Sequence, residues 1–164
     1  MADRDGMKTY GTLLVIDDEE AIGEFIADIF STQFEKVICC HDGKEGVIAA
    51  QNNELSAIIT DISMPGMPGD QLVRKIRATG DLTPIIFLTG HATKEVVLSA
   101  LRLGVANVFE KPFEKEFLVS SVNRVLEIEK RKRKIYSLED PVKIAQERKL
   151  LGLLHVVNET KKTA

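Results

Sequence analysis

Five short apolar runs recur along the chain, and each is followed by a stretch with helical spacing. The runs are rich in β-branched residues and lack polar alternation, as in Thr12-Leu13-Leu14-Val15-Ile16. The other four cover residues 36–40, 57–60, 85–88 and 106–109. Strands that alternate with helices predict repeated βαβ units and a parallel sheet. Because the strands are uniformly apolar, the pattern predicts an α/β fold with helices on both faces of the sheet.

Apolar residues with helical spacing lie between these runs and after the last one. They predict helices over residues 21–34, 45–52, 71–78 and 94–103, and a fifth that begins at Glu114. The first helix would face the sheet through Ile22, Phe25, Ile26, Ile29 and Phe30. The fifth would do so through Phe117, Leu118, Val122, Val125, Leu126 and Ile128.

The composition is that of an ordinary globular protein, with 44% hydrophobic and 29% charged residues among 164. No apolar run approaches the roughly 20 residues that cross a bilayer, so no membrane association is expected. The N-terminus lacks the pattern of a signal peptide, which favours a cytoplasmic location. Cys39 and Cys40 would point to opposite faces of a strand, so they are predicted to be packing residues rather than a disulfide.

Polar side chains follow four of the predicted strands at the point where each strand ends. Asp17 and Asp18 close the first strand and Asp61 closes the third. Thr89 ends the fourth, and Lys111 follows the fifth. Open parallel sheets bind ligands beyond the carboxyl ends of their strands. The sequence therefore predicts that these five residues form one site.

The residue types in this site suit phosphoryl chemistry. Three carboxylates held close together repel one another unless a cation is present, and oxygen ligands that leave room for water suit Mg²⁺. A metal ion and the Lys111 ammonium together would neutralise a phosphoryl group. A carboxylate can act as the nucleophile and form an acyl phosphate, and the Thr89 hydroxyl could contact a phosphoryl oxygen.

Four segments carry a resemblance to a known family. The chain resembles the receiver domain of two-component response regulators across residues 10–128, through residues 14–19, 60–69, 87–91 and 110–113. The resemblance implies a flavodoxin-like, doubly wound sheet of five parallel strands in the order 2-1-3-4-5. It also implies a signalling domain that catalyses only its own phosphorylation and dephosphorylation.

The resemblance assigns roles to the predicted site residues. Asp61 would accept a phosphoryl group from a sensor histidine kinase or a phosphotransfer protein, and the output would be an altered contact with another protein. Lys111 and Thr89 would contact the phosphoryl group, and Pro112 would follow a cis peptide bond. Mg²⁺ would be held by Asp17 through water and directly by Asp18, Asp61 and the backbone carbonyl of Ser63.

Two positions depart from the usual pattern of the family. Receivers usually carry Tyr or Phe three residues before the lysine, and this chain has Val108 there. The adjacent Phe109 is expected to point to the other face of the strand, which puts the usual aromatic signal in doubt. The residues that tune dephosphorylation in the family are Ser63 and His91 here, and they leave the lifetime of the phosphorylated form open.

Two alternative functions stay open from the sequence. Val108 suggests a degenerate receiver that acts as a constitutive docking module. A Mg²⁺-dependent phosphohydrolase would also use an aspartyl phosphate, but such enzymes usually carry a second acidic residue two positions after the nucleophile, where this chain has Ser63.

The chain changes character after residue 129. Residues 1–129 carry 12 basic and 21 acidic side chains, whereas residues 130–164 carry 10 basic and 4 acidic ones. Five consecutive cations at residues 130–134 must be solvated, as a helix extension or a linker, or must meet an acidic partner. Nothing in this segment resembles a recognition helix, so direct nucleic-acid binding is not expected.

A further helix is predicted near the C-terminus. Asp140 and Pro141 have the pattern of an N-cap followed by a first helical residue. Residues 141–157 are too apolar for a lone helix in water. We therefore predict that residues 129–164 form a basic linker and an amphipathic helix. This helix would form a homodimer, dock on an unknown downstream protein or pack on its own receiver.

Overall fold

The computed structural model describes residues 10–138, which form a five-stranded parallel sheet flanked by helices. The strands are β1 (Tyr10–Ile16), β2 (Phe34–Cys40), β3 (Leu55–Asp61), β4 (Ile85–Thr89) and β5 (Asn107–Glu110). The helices are α1 (Glu20–Phe30), α2 (Gly43–Asn52), α3 (Gly69–Ala78), α4 (Lys94–Arg102) and α5 (Lys115–Leu138). The strand order is β2-β1-β3-β4-β5, with every neighbouring pair parallel. The predicted doubly wound α/β fold is confirmed.

The strands bury side chains on both of their faces. Along β1, Leu13 and Val15 point to one face and pack with residues of α1 and α5. Leu14 and Ile16 point to the other face and pack with residues of α2, α3 and α4. All four β1 side chains are inaccessible to solvent. This explains why the strands read as continuous apolar runs rather than as alternating ones.

Some predicted boundaries and inward-facing residues were wrong. Helix α1 ends at Phe30 rather than residue 34, because the next residues form a turn and Phe34 begins β2 as a fully buried side chain. Phe25 is 50% exposed and Phe117 is 65% exposed. Buried positions on α5 recur every four residues, at Leu118, Val122 and Leu126, so a side chain one residue earlier points away from the sheet. Ile128, at 45%, is also exposed.

The chain divides into two compact units, residues 1–126 and 127–164. Helix α5 continues as far as Leu138, so the basic residues at 130–134 are helical. Lys132 pairs with Glu129 across one helical turn at 2.7 Å. The predicted N-cap at Asp140 and the apolar helix over 141–157 lie outside the described residues, and the predicted second domain over 129–164 stays a prediction. Within residues 10–138, no helix has the length and apolarity needed to cross a membrane.

Candidate functional site

The predicted site residues lie at one edge of the sheet, because parallel strands place all their carboxyl ends together. Asp17 directly follows β1, and Asp61 is the last residue of β3. Thr89 ends β4 and pairs in register with Glu110, the last residue of β5. Lys111 follows at once. The topology therefore brings side chains that are up to 94 positions apart in sequence to a common edge.

The Lys111 ammonium joins the acidic side chains of this edge. Its Nζ lies 2.8 Å from Asp17 Oδ2, 3.1 Å from Asp61 Oδ2 and 3.4 Å from Glu19 Oε1. Asp17 is fully buried and Asp61 is only 5% exposed. Buried carboxylates of this kind need a charged partner, and one ammonium serves both aspartates.

Burial and pairing act on the pKa values in opposite directions. Burial raises the pKa of the Asp17 carboxyl, and hydrogen bonds from Lys111 and from the Glu19 N–H offset only part of that rise. Burial alone would lower the pKa of Lys111, but hydrogen bonds to Asp17 and Asp61 outweigh it, so the pKa of the ammonium lies above its usual value. The lysine therefore remains charged at neutral pH.

Backbone amides orient the two aspartates. The Glu19 N–H donates to Asp17 Oδ1 and the Ser63 N–H donates to Asp61 Oδ1, each at 3.0 Å. Each carboxylate thus has one oxygen on the amide two residues later and the other oxygen on Lys111. Because both oxygens of each carboxylate accept hydrogen bonds, few side-chain rotamers keep all of these contacts.

Gly69, the first residue of α3, is required where the loop after Asp61 returns. Its N–H donates to the Ile62 carbonyl at 2.9 Å. A Cβ at Gly69 would lie 2.5 Å from the Asp61 carbonyl oxygen and 2.9 Å from Ile62 Cα. Both are backbone atoms that cannot rotate away. The loop that positions Asp61 therefore depends on glycine at this place.

A metal ion fits the donors present at this edge. Carboxylate oxygens of Asp17, Glu19 and Asp61 all lie within 4.8 Å of one another. The Lys111 ammonium is one positive charge among three negative ones, so the cluster keeps an excess of negative charge. Carboxylate oxygens with excess negative charge suit a hard divalent cation such as Mg²⁺.

Glu19 was given no role in the sequence analysis, whereas Asp18 was predicted as a metal ligand. Asp18 is exposed and is not one of the three carboxylates grouped within 4.8 Å in the described part of the chain. Glu19 precedes α1, and its side chain reaches Lys111. A run of four acidic residues in sequence does not indicate which of them reaches the lysine, and Glu19 does so although its side chain is 63% exposed. The ligand set with Asp18 and the Ser63 carbonyl stays a prediction.

Thr89 lies at the same edge but is engaged by its own loop. It is 2% exposed. Its hydroxyl donates to the His91 carbonyl at 2.9 Å and accepts from the His91 N–H at 3.1 Å. Across residues 10–138, the structure thus brings Asp17, Asp61 and Lys111 into direct contact, with Thr89 beside them on a different set of partners.

Comparisons with known proteins agree with this geometry. Residues 13–123 match the family described as the response regulator receiver domain. The chain belongs to that family. Among curated relatives, the putative response regulator NtrX-like of Rickettsia bellii is 32% identical over 133 residues, which cover 79% of this chain and 28% of the relative. The uncharacterized transcriptional regulatory protein YkoG of Bacillus subtilis is 30% identical over 116 residues, covering 71% and 51%.

The receiver also resembles solved structures. The chemotaxis protein CheY4 of Vibrio cholerae superposes with a TM-score of 0.67 at 28% identity, covering 71% of this chain and 98% of that one. A receiver domain protein from Clostridium thermocellum gives the same TM-score at 28% identity, covering 73% and 97%. The chain spans about half or less of the two curated relatives named above, whose remaining parts have no counterpart in these alignments.

The side chains of Val108 and Phe109 point to opposite faces of strand β5. Val108 packs against the core on the side of α2, α3 and α4, and Phe109 packs against the core on the side of α1 and α5. The expectation that Phe109 faces away from the usual aromatic position is confirmed. The predicted cis peptide bond is present between Lys111 and Pro112.

An apolar groove opens beside the Lys111 ammonium. Its walls come from the start of α1 and from the segment after β5, namely Glu19, Ile22, Phe25, Lys111, Pro112 and Phe113. Phe25 was predicted to face the sheet but instead forms part of this surface. The receiver therefore presents an apolar surface directly next to its charged site.

Proposed function

We propose that this receiver is phosphorylated on Asp61 by a histidine kinase or a phosphotransfer protein, with Mg²⁺ as cofactor, and signals through altered contacts with other proteins. One observation carries the proposal. Asp61 is a nearly buried carboxylate that shares a charged lysine with a second buried carboxylate. A purely structural role would not require two buried acids and a lysine at the open edge of a sheet. The cytoplasmic location expected from the sequence is part of this proposal.

The phosphoryl group would pass from a histidine nitrogen of the donor protein to a carboxylate oxygen of Asp61. An Asp61 carboxylate oxygen attacks the phosphorus of a phosphohistidine, an O–P bond forms as the P–N bond breaks, and the imidazole leaves with the electron pair. Asp17, Asp18, Asp61 and the Ser63 carbonyl would hold Mg²⁺, and Glu19 lies close enough to join them. When bound, the ion would supply positive charge to the phosphoryl oxygens.

Two side chains of the receiver would then change partners. The Lys111 ammonium, 3.1 Å from Asp61, would pair with the transferred phosphoryl group, which carries more charge than the carboxylate it replaces. The Thr89 hydroxyl would leave the His91 carbonyl and donate to a phosphoryl oxygen. Both moves stay within the existing edge of the sheet.

The direct test is phosphorylation with a small donor. Acetyl phosphate with Mg²⁺ should give an acid-stable, base-labile adduct on Asp61, detected by intact mass spectrometry. Asp61→Asn keeps the size of the side chain and removes the nucleophile, so it should give no adduct while retaining the fold. An unlabelled wild type, or an Asp61→Asn variant that labels equally, would reject the proposal.

The groove beside Lys111 supports a protein as the natural donor. A protein that carries the phosphohistidine would bury Phe25 against its own surface, whereas acetyl phosphate has nothing to place there. Phe25→Ala should slow transfer from a phosphorylated phosphotransfer protein by about tenfold, a typical loss for an aromatic residue at an interface, and leave labelling by acetyl phosphate unchanged. Ile48→Ala, an exposed residue of α2, is the matched control. An equal effect on both donors would exclude docking at this groove.

A second candidate is a constitutive docking module, which Val108 favours because it removes the aromatic side chain through which receivers usually respond. This candidate predicts that beryllofluoride, which mimics the phosphoryl group, changes neither the oligomeric state nor partner binding. Light scattering of the full-length chain with and without beryllofluoride separates the two. The same measurement tests the proposed homodimer of the C-terminal segment.

A further inference from the structure

The loop between β4 and α4, residues 90–93, is tied to the end of β5 by a side chain. Glu110 Oε1 accepts a hydrogen bond from the Ala92 N–H at 3.1 Å. The contact spans 18 positions in sequence and joins two exposed segments. Beside it, the Lys111 N–H donates to the Thr89 carbonyl at 2.7 Å. The end of β5 therefore contacts both the last residue of β4 and the loop that follows it.

This tie holds the loop in the conformation that occupies the Thr89 hydroxyl. That hydroxyl bonds the His91 carbonyl and amide, and the same carbonyl accepts from the Thr93 N–H at 3.0 Å. His91 lies between Thr89 and the Ala92 amide that Glu110 holds. The Thr89 hydroxyl cannot reach toward Asp61 while it keeps both contacts to His91. Its turn toward a phosphoryl group would break both contacts to His91, the residue next to the tethered Ala92.

Glu110 is also followed directly by Lys111, whose ammonium pairs with the acidic cluster. Lys111, its neighbour, contacts Asp17 and Asp61. Two consecutive residues, the last of β5 and the one after it, therefore make one link to the loop and one to the acidic cluster. The side chain of Val108, on the same short strand, carries no polar atom for this purpose. The side-chain contact between the β4–α4 loop and β5 is therefore the hydrogen bond of Glu110.

We propose that Glu110 is a positioning residue that latches the β4–α4 loop in the unphosphorylated state and so opposes the engagement of Thr89 with a phosphoryl group. The inference rests on the proposed function. Breaking the latch should favour the phosphorylated arrangement. Because Glu110 is exposed, water competes for its carboxylate, and the effect should be that of one ordinary hydrogen bond.

The test compares Glu110→Ala with Glu110→Gln in the full-length chain. Glu110→Ala removes the acceptor, and its midpoint for beryllofluoride at saturating Mg²⁺ should fall about two- to tenfold. Glu110→Gln removes the negative charge but keeps an oxygen that can accept from Ala92, so its midpoint should fall less than that of Glu110→Ala. Hydrogen exchange at the Ala92 amide, followed by NMR, should quicken in Glu110→Ala and not in Glu110→Gln.

The control also isolates the effect of charge. Removing a carboxylate near an anion site favours anion binding without any latch, so equal shifts in the two variants would overturn the proposal. Unchanged midpoints or unchanged Ala92 exchange in Glu110→Ala would overturn it too. A wild type that binds no beryllofluoride would instead reject the proposed function, and the latch with it, which separates the two failures.

Discussion

The central strands β1, β3 and β4 differ sharply from the lateral edge of the sheet, which is formed by β5 and covered by α4. Most side chains of the central strands are fully buried, and β4 is buried along its whole length. Strand β5 has four residues, none fully buried, and α4 buries only Ala100. Val97, Leu98 and Leu101 of α4 are 40–69% exposed. The same domain therefore combines a tightly packed centre with a loosely packed edge.

This difference matches the division of labour at the site. Asp17 and Asp61, which must hold fixed positions, extend from central strands. The β4–α4 loop, which we propose to shift, and Glu110, which holds it, belong to the lateral edge of the sheet. Segments with few buried contacts open at the lowest free energy. The receiver thus extends its two buried aspartates from densely packed strands and places the β4–α4 loop where rearrangement costs little, and Lys111 reaches the aspartates from the end of β5.

The largest expected contrast is in core packing. Ile58→Ala removes a fully buried side chain of β3 and should lower the free energy of unfolding by about 2–5 kcal/mol. Leu101→Ala, on the exposed face of α4, should change it by less than about 0.5 kcal/mol. Urea denaturation of both variants measures the difference. A large loss from Leu101→Ala would show that the α4 face is packed in solution and would break the comparison.

A smaller contrast is expected from two glycines in the segments that come after β3 and β4, Gly69 at the start of α3 and Gly90 in the β4–α4 loop. Gly69→Ala places a Cβ against the Asp61 and Ile62 backbone and should destabilise the fold by about 1–3 kcal/mol. It should also slow labelling of Asp61, whose loop must shift. Gly90→Ala, in the β4–α4 loop, meets no atom within 4 Å and should be nearly neutral. Thermal unfolding and acetyl phosphate labelling check both, and equal losses would contradict the distinction.

The smallest contrast concerns two helix caps. Asp42 Oδ1 accepts from the Glu45 N–H at 2.8 Å at the start of α2, and Thr93 Oγ1 accepts from the Val96 N–H at 3.3 Å at the start of α4. Asp42→Ala should cost about 1 kcal/mol of global stability. Thr93→Ala should cost about 0.5 kcal/mol or less, and should speed hydrogen exchange within α4 alone. In the wild type, slower hydrogen exchange in α2 than in α4 would support the view that α4 belongs to a loosely packed part of the domain.

Sequence reasoning identified the acidic edge because its signal is local. An apolar run followed at once by Asp17 or Asp61 shows both the strand and its end. Parallel strands then place these ends at the same edge of the sheet, and Asp17 and Asp61 meet there because β1 and β3 are neighbours. The order itself came from the resemblance to receivers, because apolar runs carry no record of which run lies beside which. The alternation along a strand correctly separated Val108 from Phe109.

Other features had no such signal. Periodicity placed Phe25 and Phe117 on inward faces. A residue at the border of the apolar face of a helix points inward or outward according to how the helix is rotated against the sheet. Glu19 and Asp18 are adjacent acids, and only the path of the chain into α1 decides which reaches Lys111. Glu110 was named only as part of a motif, since its partner Ala92 is a backbone amide and leaves no trace in residue type.

The amino-acid sequence by itself determined the alternation of strands and helices and the residues at the strand ends, among them the carboxylate of Asp61. These follow from hydrophobic burial and residue type, which are properties of short segments. Tertiary structure alone decided that one lysine joins Asp17, Glu19 and Asp61, that Thr89 is held by His91, and that Glu110 holds the loop. Such contacts depend on side-chain directions and on backbone atoms brought together across the sheet, and these are set only when the strands pack side by side.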